Sequence, residues 1–257
     1  AEFITEVLND RRSFSNFRRD YAYRQILEHV SFQLGKSYLE KFLRLGIVPM
    51  DLTNYLENVD RIGNPRKYSY KGIGQVSPTT LRYLATAAEM CQIFDLKKMP
   101  PPVITEIGIG FGGQLLALEQ MIEISSYNTY DLRNVQELAS RYLSATRQMP
   151  DFEKIVVHRD IENVSDLKSD LLISNYALSE LPTQVQIEYL EKIAIHAKRG
   201  YLMMNSGKSN ITGRSTGKLA MADFLSAIPG AEIFPENPLS GPDNYLLLWG
   251  HKNPPIF

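Results

Sequence analysis

The sequence lacks several features that define large classes of proteins. It has one cysteine in 257 residues, Cys91, so the chain can form no internal disulfide and no cysteine-based zinc site. It contains no run of about 18 apolar residues, which a transmembrane helix would need. Lysine and arginine number 28 against 29 aspartate and glutamate, so there is no basic excess of the kind that nucleic-acid-binding surfaces leave. These absences argue against disulfide scaffolds, membrane spans and extended nucleic-acid interfaces.

The composition is that of a folded soluble protein. Apolar residues make up 44% of the chain and charged residues 22%, far from the composition of disordered chains. The length suits one large domain, or a domain with an appendage. Residues 1–6 lack the positive charge and the apolar stretch of a secretory signal. We therefore expect a protein of the reducing cytoplasm, and the sequence carries no signature of an oligomeric state.

The first hundred residues have a helical pattern. Upstream of three prolines at 100–102, apolar residues recur at spacings of three and four. One such pattern runs over residues 21–45, and Gly46 is expected to end it. Ser77-Pro78 predicts the start of another helix, with serine as the N-cap and proline in the first turn. We predict an N-terminal helical region over residues 1–99 that serves as a cap, a substrate-binding part or an oligomerisation part.

The rest of the chain alternates between strand-length apolar runs and helical patterns. Alternation of this kind implies βαβ crossovers and a parallel sheet. The last two strands have no helix between them, which predicts one strand inserted antiparallel. We predict an α/β domain over residues 100–257, with a seven-stranded, mostly parallel sheet whose last strand is antiparallel. The predicted strands are 103–107, 128–132, 155–158, 170–174, 201–204, 231–234 and 245–250, and the predicted helices are 114–122, 135–146, 182–198 and 218–228.

A glycine-rich turn follows the first of these strands. Gly108, Gly110 and Gly113 fit the G-x-G-x-x-G pattern of dinucleotide-binding proteins. Gly108, Gly110 and Gly112, with Glu106 two residues earlier, also fit the acidic-x-G-x-G-x-G loop of S-adenosylmethionine (SAM) enzymes. Glycines in such a turn allow backbone angles that other residues avoid and let a ligand approach the chain closely. The turn therefore predicts a cofactor site, and the residues around it must distinguish the two cofactors.

Three acidic residues follow three successive strands. SAM carries a sulfonium and an α-ammonium but no phosphate, so the carboxylate of Glu106 would pair with SAM and repel a pyrophosphate. Asp131 is placed to accept the ribose hydroxyls, which both SAM and NAD present. Asp160 is placed to reach the adenine amino group. These acids favour SAM as the cofactor, with an NAD(P)-dependent oxidoreductase that uses the same glycine loop as the alternative.

The strand over residues 170–174 ends in a polar pair, Asn175 and Tyr176. Ligands of open α/β sheets bind beside such strand ends, where the strand order reverses. In a SAM site Asn175 would face the methyl group. The alternative is that Asn175 is a turn residue ahead of the next helix.

These motifs resemble those of the Rossmann-like (class I) SAM-dependent methyltransferases and, among them, the group named sugar O-methyltransferases. The resemblance implies SAM as the methyl donor and S-adenosylhomocysteine (SAH) as the product. It places Glu106, Gly108, Gly110 and Asp131 in the cofactor site and implies a sheet with a reversed last strand. It further implies O-methylation of a sugar hydroxyl, in a saccharide, nucleotide sugar or glycoconjugate, as part of polysaccharide biosynthesis. The residues that carry the resemblance are 77–83, 106–114, 130–132, 174–181 and 200–205.

A sugar hydroxyl is a weak acid, so a base or a metal ion should assist its deprotonation. We predict Glu180 as the catalytic base, with Tyr176 and Asn175 orienting the acceptor. Alternatively, Glu180 is a first-turn carboxylate of the following helix. His29, in the N-terminal helical pattern, and His196 are expected at the surface or in packing. No cluster of ligating residues demands a metal, and the metal requirement stays open.

Several basic residues could meet an anionic acceptor. Lys208 and Arg214 belong to a polar loop over residues 205–217 that is expected to shape the acceptor pocket. Residues 66–72 combine aromatic and basic side chains, which suits stacking on a sugar ring or packing at a domain junction. The arginine pairs at 11–12 and 18–19 are expected on a solvated face, because acids lie nearby.

The expected partner is a small-molecule or glycan acceptor, with no nucleic acid and no membrane span. One further alternative is a methyltransferase-like module that binds a protein or a glycan without turnover.

Overall fold

The computed structural model describes residues 2–46, 52–146, 155–158, 161, 168–207 and 217–255. Contacts divide the chain into two compact units. The first unit comprises Ala1–Gln92, Ile109–Ile122 and Leu132–Phe152, and the second comprises Ile93–Gly108, Glu123–Asp131 and Glu153–Phe257. Within the described ranges, no helix is both long enough and apolar enough to cross a membrane.

The described residues of the first unit form helices, one hairpin and the segments that connect them. Phe17, Phe111 and Tyr142 meet edge to face in its interior, with ring centroids 4.9–6.1 Å apart. Strands β1 (Tyr68–Tyr70) and β2 (Gly74–Val76) pair antiparallel. The helices are α1 (Glu2–Asn9), α2 (Arg11–Asn16), α3 (Tyr21–Ile26), α4 (Phe32–Leu45), α5 (Leu52–Val59), α6 (Pro78–Phe94, of which the last two residues belong to the second unit), α7 (Gly113–Glu119) and α8 (Arg133–Thr146), with a 3-10 turn at Phe17–Arg19.

The prediction of one continuous helix over residues 21–45 is wrong, because a break separates α3 from α4. The hydroxyl of Ser31 accepts a hydrogen bond from the amide of Leu34 at 3.2 Å, which caps a new helix. The break also brings the carboxylate of Glu28 to the buried side chain of Arg18. Helix α4 ends as predicted at Gly46, which has φ +65°. His29, expected within the helical pattern, lies in the break between the two helices.

Arg18 contradicts the prediction of a solvated face, because its side chain is fully buried. Its Nε lies 2.5 Å from Oε1 of Glu28, and its Nη1 lies 3.0 Å from Oδ1 of Asp60. The guanidinium also lies over the ring of Phe111, 4.7 Å from the centroid. A buried charge needs such partners, since an unpaired one would carry a large desolvation cost. The other three arginines of the two pairs are exposed, as predicted.

The second unit is built on a seven-stranded sheet. Its strand order is β5-β4-β3-β6-β7-β9-β8, and β9 runs antiparallel to both of its neighbours while the other pairs are parallel. The predicted fold class, an α/β Rossmann-like sheet with an antiparallel last strand and additional N-terminal helices, is confirmed. The strands are β3 (Val103–Ile107), β4 (Ser126–Tyr130), β5 (Ile155–His158), β6 (Leu171–Asn175), β7 (Gly200–Met204), β8 (Glu232–Pro235) and β9 (Tyr245–Trp249).

Three helices of the second unit, α9 (Ala177–Glu180), α10 (Thr183–Lys192) and α11 (Met221–Ala227), share one apolar cluster with the strands. Helices α10 and α11 are shorter than predicted from the sequence. Helix α11 begins late because Asp223 accepts the amide of Ala220 at 2.7 Å and so caps its first turn. The residues at the centre of the cluster are Ile107, Leu172, Leu178, Leu190, Leu202, Phe224, Leu247 and Trp249.

Candidate functional site

The strand order of the second unit reverses between β3 and β6. From β3 the chain continues to β4 and β5 on one side, and then returns to β6 on the other side. Glu106 lies near the carboxyl end of β3 and pairs in register with Ile173 of β6. Ligands of open α/β sheets bind at the carboxyl ends of strands beside such a reversal. Four of the predicted site residues of this unit, Glu106, Gly108, Asn175 and Tyr176, lie near or directly beyond these two strand ends.

The carboxyl group of Glu106 is buried. Its Oε2 accepts a hydrogen bond from the hydroxyl of Tyr127 at 2.7 Å. Burial raises the pKa of Glu106 to about 8, the bond from Tyr127 opposes this rise, and the nearby charge of Asp131 adds to it. The carboxyl is therefore costly to ionise, and a cation placed against it would favour its charged form.

Gly108 has φ +84°, in the left-handed region that favours glycine. Its amide donates a hydrogen bond to the carbonyl of Tyr130 at 2.8 Å, which ties the loop to β4. A Cβ at this position would lie 2.1 Å from the Cβ of Ala177, a severe overlap. Close packing against Ala177 is therefore sufficient to require glycine at 108, whether or not a ligand is bound.

Gly110 and Gly112 belong to the first unit and also have positive φ, at +56° and +90°. A Cβ on Gly110 would lie 3.0 Å from Leu27, and one on Gly112 would lie 3.0 Å from Leu143. Gly112 is the N-cap of α7, and its amide donates to the carbonyl of Ile109 at 2.9 Å. These glycines therefore adopt the backbone angles that the sequence pattern predicts for a glycine-rich turn. The roles of both glycines in cofactor binding stay predictions.

Asp131 directly follows β4 and is half-buried. Its charge raises the pKa of Glu106. Burial raises the pKa of Tyr189 to about 12, and the charge of Asp131 is the second cause of that rise. Asn175 is the last residue of β6 and is also half-buried. The predicted contacts of Asp131 with ribose and of Asn175 near the methyl group stay predictions. Asp160, predicted at the adenine, lies outside the described residues.

Tyr176 follows β6 with φ +71° and is buried. Its hydroxyl donates a hydrogen bond to the carboxylate of Glu236 and lies 3.0 Å from the hydroxyl of Ser240. Glu236 also accepts from the amide of Ser240 at 2.8 Å and from the side chain of Asn244 at 3.0 Å. Sequence reasoning missed this cluster, because Glu236 and Asn244 lie in the loop between β8 and β9, and only their proline- and glycine-rich setting is visible in the sequence.

Glu180 ends α9 and is exposed. Its Oε1 accepts a hydrogen bond from Nδ2 of Asn205, at 2.9 Å, just after the carboxyl end of β7. The hydroxyl of Ser179 donates to Oδ1 of the same asparagine at 2.7 Å. Glu180 is thus held by a residue that follows β7, the strand next to β6, at the same edge of the sheet as Asn175. Lys208 and Arg214 lie outside the described residues.

The described part of the chain holds no group of three histidine, cysteine, aspartate or glutamate side chains arranged to bind a metal ion. His158 stacks on Tyr130 with a centroid separation of 4.6 Å, and its Nε2 lies 2.9 Å from Oδ1 of Asn128. Burial lowers the pKa of His158, which favours the neutral ring. This histidine is therefore engaged in packing on the sheet.

No protein-family model and no curated protein sequence matches this chain. Solved structures with a similar fold include an O-methyltransferase family protein from Burkholderia thailandensis, with 11% identity over 67% of this chain and a TM-score of 0.45. The match spans 58% of that protein, less than two thirds of its length. A TehB-like SAM-dependent methyltransferase from Corynebacterium glutamicum has 16% identity, with 65% of this chain and 87% of that one covered, and a TM-score of 0.43.

The mitomycin 7-O-methyltransferase is also similar, with 13% identity, coverage of 95% of this chain and 74% of that one, and a TM-score of 0.48. These similarities fall below a TM-score of 0.5, and they do not define an activity for this chain.

Proposed function

We propose that this chain is a SAM-dependent methyltransferase. The observation that carries the proposal is the buried carboxyl of Glu106 at the end of β3, whose pKa is raised to about 8. A cationic ligand group offsets the cost of ionising such a carboxyl, whereas a pyrophosphate would increase it. SAM presents an ammonium and a sulfonium and carries no phosphate. The carboxyl therefore favours SAM over a dinucleotide.

The proposed cofactor site follows the carboxyl ends of the strands. Glu106 pairs with the ammonium, and Asp131, at the end of the neighbouring strand β4, accepts the ribose hydroxyls. Gly108 is proposed for this site on the sequence pattern, since its packing against Ala177 already requires glycine. Asn175, at the end of β6 on the other side of β3, lies towards the methyl group. Gly110, Gly112 and Asp160 are proposed for this site on the sequence pattern alone.

SAM, when bound, supplies the methyl group for an in-line displacement by an acceptor oxygen. Holding the two atoms in line and close together accounts for much of the acceleration in such reactions. We assign the removal of the acceptor proton to Glu180, which Asn205 orients through the 2.9 Å hydrogen bond. Tyr176 is proposed to position the acceptor. Its hydroxyl is held by Glu236, so the face of its ring is the part of the side chain that would line the site.

For the acceptor, we propose the hydroxyl of a saccharide, nucleotide sugar or glycoconjugate. This assignment rests on the resemblance to sugar O-methyltransferases. A sugar hydroxyl needs assistance to lose its proton, which agrees with an orienting contact on Glu180.

Calorimetric titration with SAH and with NADH tests the cofactor. We expect SAH to bind and NADH to bind much more weakly. At pH 8, Glu106→Gln should weaken SAH binding by about tenfold or more, because a charge-assisted contact contributes about 1.5–3 kcal/mol. Glu123→Gln is the matched control, since Glu123 is exposed on the loop before β4. Preferential binding of NADH, or equal SAH affinity in the two variants, would contradict the proposal.

Transfer of a radiolabelled methyl group to a panel of sugars and nucleotide sugars tests the reaction. Glu180→Gln should lower kcat by about 10²–10⁴-fold and leave the SAH affinity unchanged, as removal of a general base does. Glu191→Gln, an exposed change on α10, is the control. If SAH binds but no acceptor is methylated, the chain acts as a binding module and the enzymatic part of the proposal is wrong.

A further inference from the structure

We infer that the first unit carries a binding site for a phosphate group attached to a ring. A cavity of about 300 Å³ opens between α3, α4 and the segment before β1. All the residues that line it belong to the first unit, and none of them takes part in the proposed methyl transfer. The lining residues that matter here are Arg18, Arg24, Glu28, Phe32, Arg66 and Tyr68.

The cavity wall carries an excess of positive charge. Three arginines line the cavity against Glu28, and Asp60 pairs with Arg18 behind the wall, so one positive charge remains in excess when His29 is neutral. The glutamate, Glu28, is already engaged, because one oxygen accepts from Arg18 and the other accepts from the hydroxyl of Ser77 at 3.2 Å. Within the described residues, the side chains of Arg24 and Arg66 make no ion pair and no hydrogen bond. Two cationic groups at the cavity are therefore available to a ligand.

Arg18 adds a buried donor to this wall. Its Nε and Nη1 are used by carboxylates, but its Nη2 is buried and has no hydrogen-bond partner among the described residues. A buried donor without an acceptor is costly, and an anion that reached it from the cavity would satisfy it.

The starts of two helices also lie at this cavity. Ser31 and Phe32 begin α4, Pro78 begins α6, and all three line the wall. The N-terminal end of a helix carries partial positive charge, which favours an anion. Helix ends and arginines therefore act in the same direction.

An aromatic surface lies beside the charged groups. The ring of Phe32 is 37% exposed, stacks on Tyr70 with centroids 5.2 Å apart, and lies 5.4 Å from the ring of Tyr68. Such a surface suits the face of a sugar or a base. A phosphate monoester carries about two negative charges on three acceptor oxygens, so it can pair with Arg24 and Arg66 at the same time, whereas one carboxylate carries a single charge on two oxygens. The expected ligand is a sugar phosphate or a nucleotide monophosphate.

The inference is independent of methyl transfer, so we test it by binding alone. Calorimetric titrations use glucose 1-phosphate, uridine 5′-monophosphate, inorganic phosphate and glucuronate. We expect at least one of the two ring phosphates to bind more tightly than inorganic phosphate and glucuronate, and a comparison of the two separates sugar from base recognition.

Arg24→Gln and Arg66→Gln should each weaken that binding about tenfold, as loss of one charge-assisted contact does. The matched control is Arg44→Gln, which removes the same charge from the exposed last turn of α4. Because Arg24 and Arg66 are at the surface, both variants should keep the wild-type circular dichroism spectrum. Three results would each overturn the inference: glucuronate binding as tightly as the ring phosphates, equal affinities in Arg66→Gln and Arg44→Gln, or no binding of any phosphate at millimolar concentration.

Discussion

Replacement of Glu106 by glutamine should change how stability depends on pH. The folded protein raises the pKa of this buried carboxyl from 4.5 to about 8. Between these two pH values the unfolded chain has released the proton and the folded chain still holds it. The free energy of unfolding therefore falls by about 1.4 kcal/mol for each unit that the pH rises, or by about 5 kcal/mol over the whole interval.

The direction follows from the sign of the pKa change. Because the pKa is raised, the contribution of Glu106 to stability is complete below pH 4.5 and is lost as the pH rises towards 8. Glutamine can accept the hydrogen bond from Tyr127 and does not titrate. The stability of Glu106→Gln relative to the wild type should therefore increase steadily with pH. Every other titrating group is common to both proteins, so the difference between them isolates Glu106.

Urea unfolding at a series of pH values measures this difference, with Glu123→Gln as the control. Ligand binding gives a second readout, because an ammonium that pairs with Glu106 must displace its proton. Below the raised pKa, the wild-type affinity for SAH should then rise by up to about tenfold per pH unit, and the affinity of Glu106→Gln should not. A stability difference that stays constant between pH 4.5 and 8 would refute the raised pKa, and an SAH affinity independent of pH would refute the pairing.

Three further changes test packing within the two units. Gly108→Ala should lower the free energy of unfolding by more than Gly72→Ala does. Both residues have φ near +84°, but only a Cβ at 108 meets another atom within 4 Å. Urea unfolding should give a loss of about 1–2 kcal/mol for Gly72→Ala and a loss about 1–3 kcal/mol larger for Gly108→Ala. Asp60→Ala should cost about 3–5 kcal/mol, because it removes one of two carboxylates from the buried Arg18, and a loss below 1 kcal/mol would contradict this. Tyr176→Phe should lower stability by about 1–3 kcal/mol through the loss of its hydroxyl contact and leave the SAH affinity within about threefold.

Two strands have the bounds predicted from the sequence, because local features mark both of their ends. Strand β3 lies between a proline and a glycine, and its predicted bounds, 103–107, match the structure. Strand β5 also has its predicted bounds, 155–158. Strand β4 begins and ends two residues earlier than predicted, at Ser126–Tyr130, because its apolar pattern continues beyond the last pairing with β3. The antiparallel last strand was predictable from the missing helix between β8 and β9.

The features that could not be predicted depend on residues far apart in the sequence. Arg18 reads as a surface arginine because acidic residues lie near it in the sequence, yet Asp60, 42 residues away, and the break before α4 make it a buried ion pair. Tyr176 reads as a free polar residue after a strand, yet its hydroxyl meets Glu236, 60 residues further on. A sequence pattern indicates which residues follow the end of a strand, but it does not indicate which distant groups contact their side chains.

Glu106 has one property that the local sequence predicts and another that depends on distant residues. Its place at the end of a buried strand follows from the local sequence, and so does the expectation that it meets a cation. Its raised pKa does not, because that depends on the burial produced by the assembled unit and on Tyr127, 21 residues later. The same loop with an exposed glutamate would carry a carboxylate already ionised at neutral pH and would bind an ammonium without a proton change. In the proposed site, recognition of an ammonium would instead be coupled to release of a proton, so the pH dependence of SAH binding tests burial at the site and not only the presence of the motif.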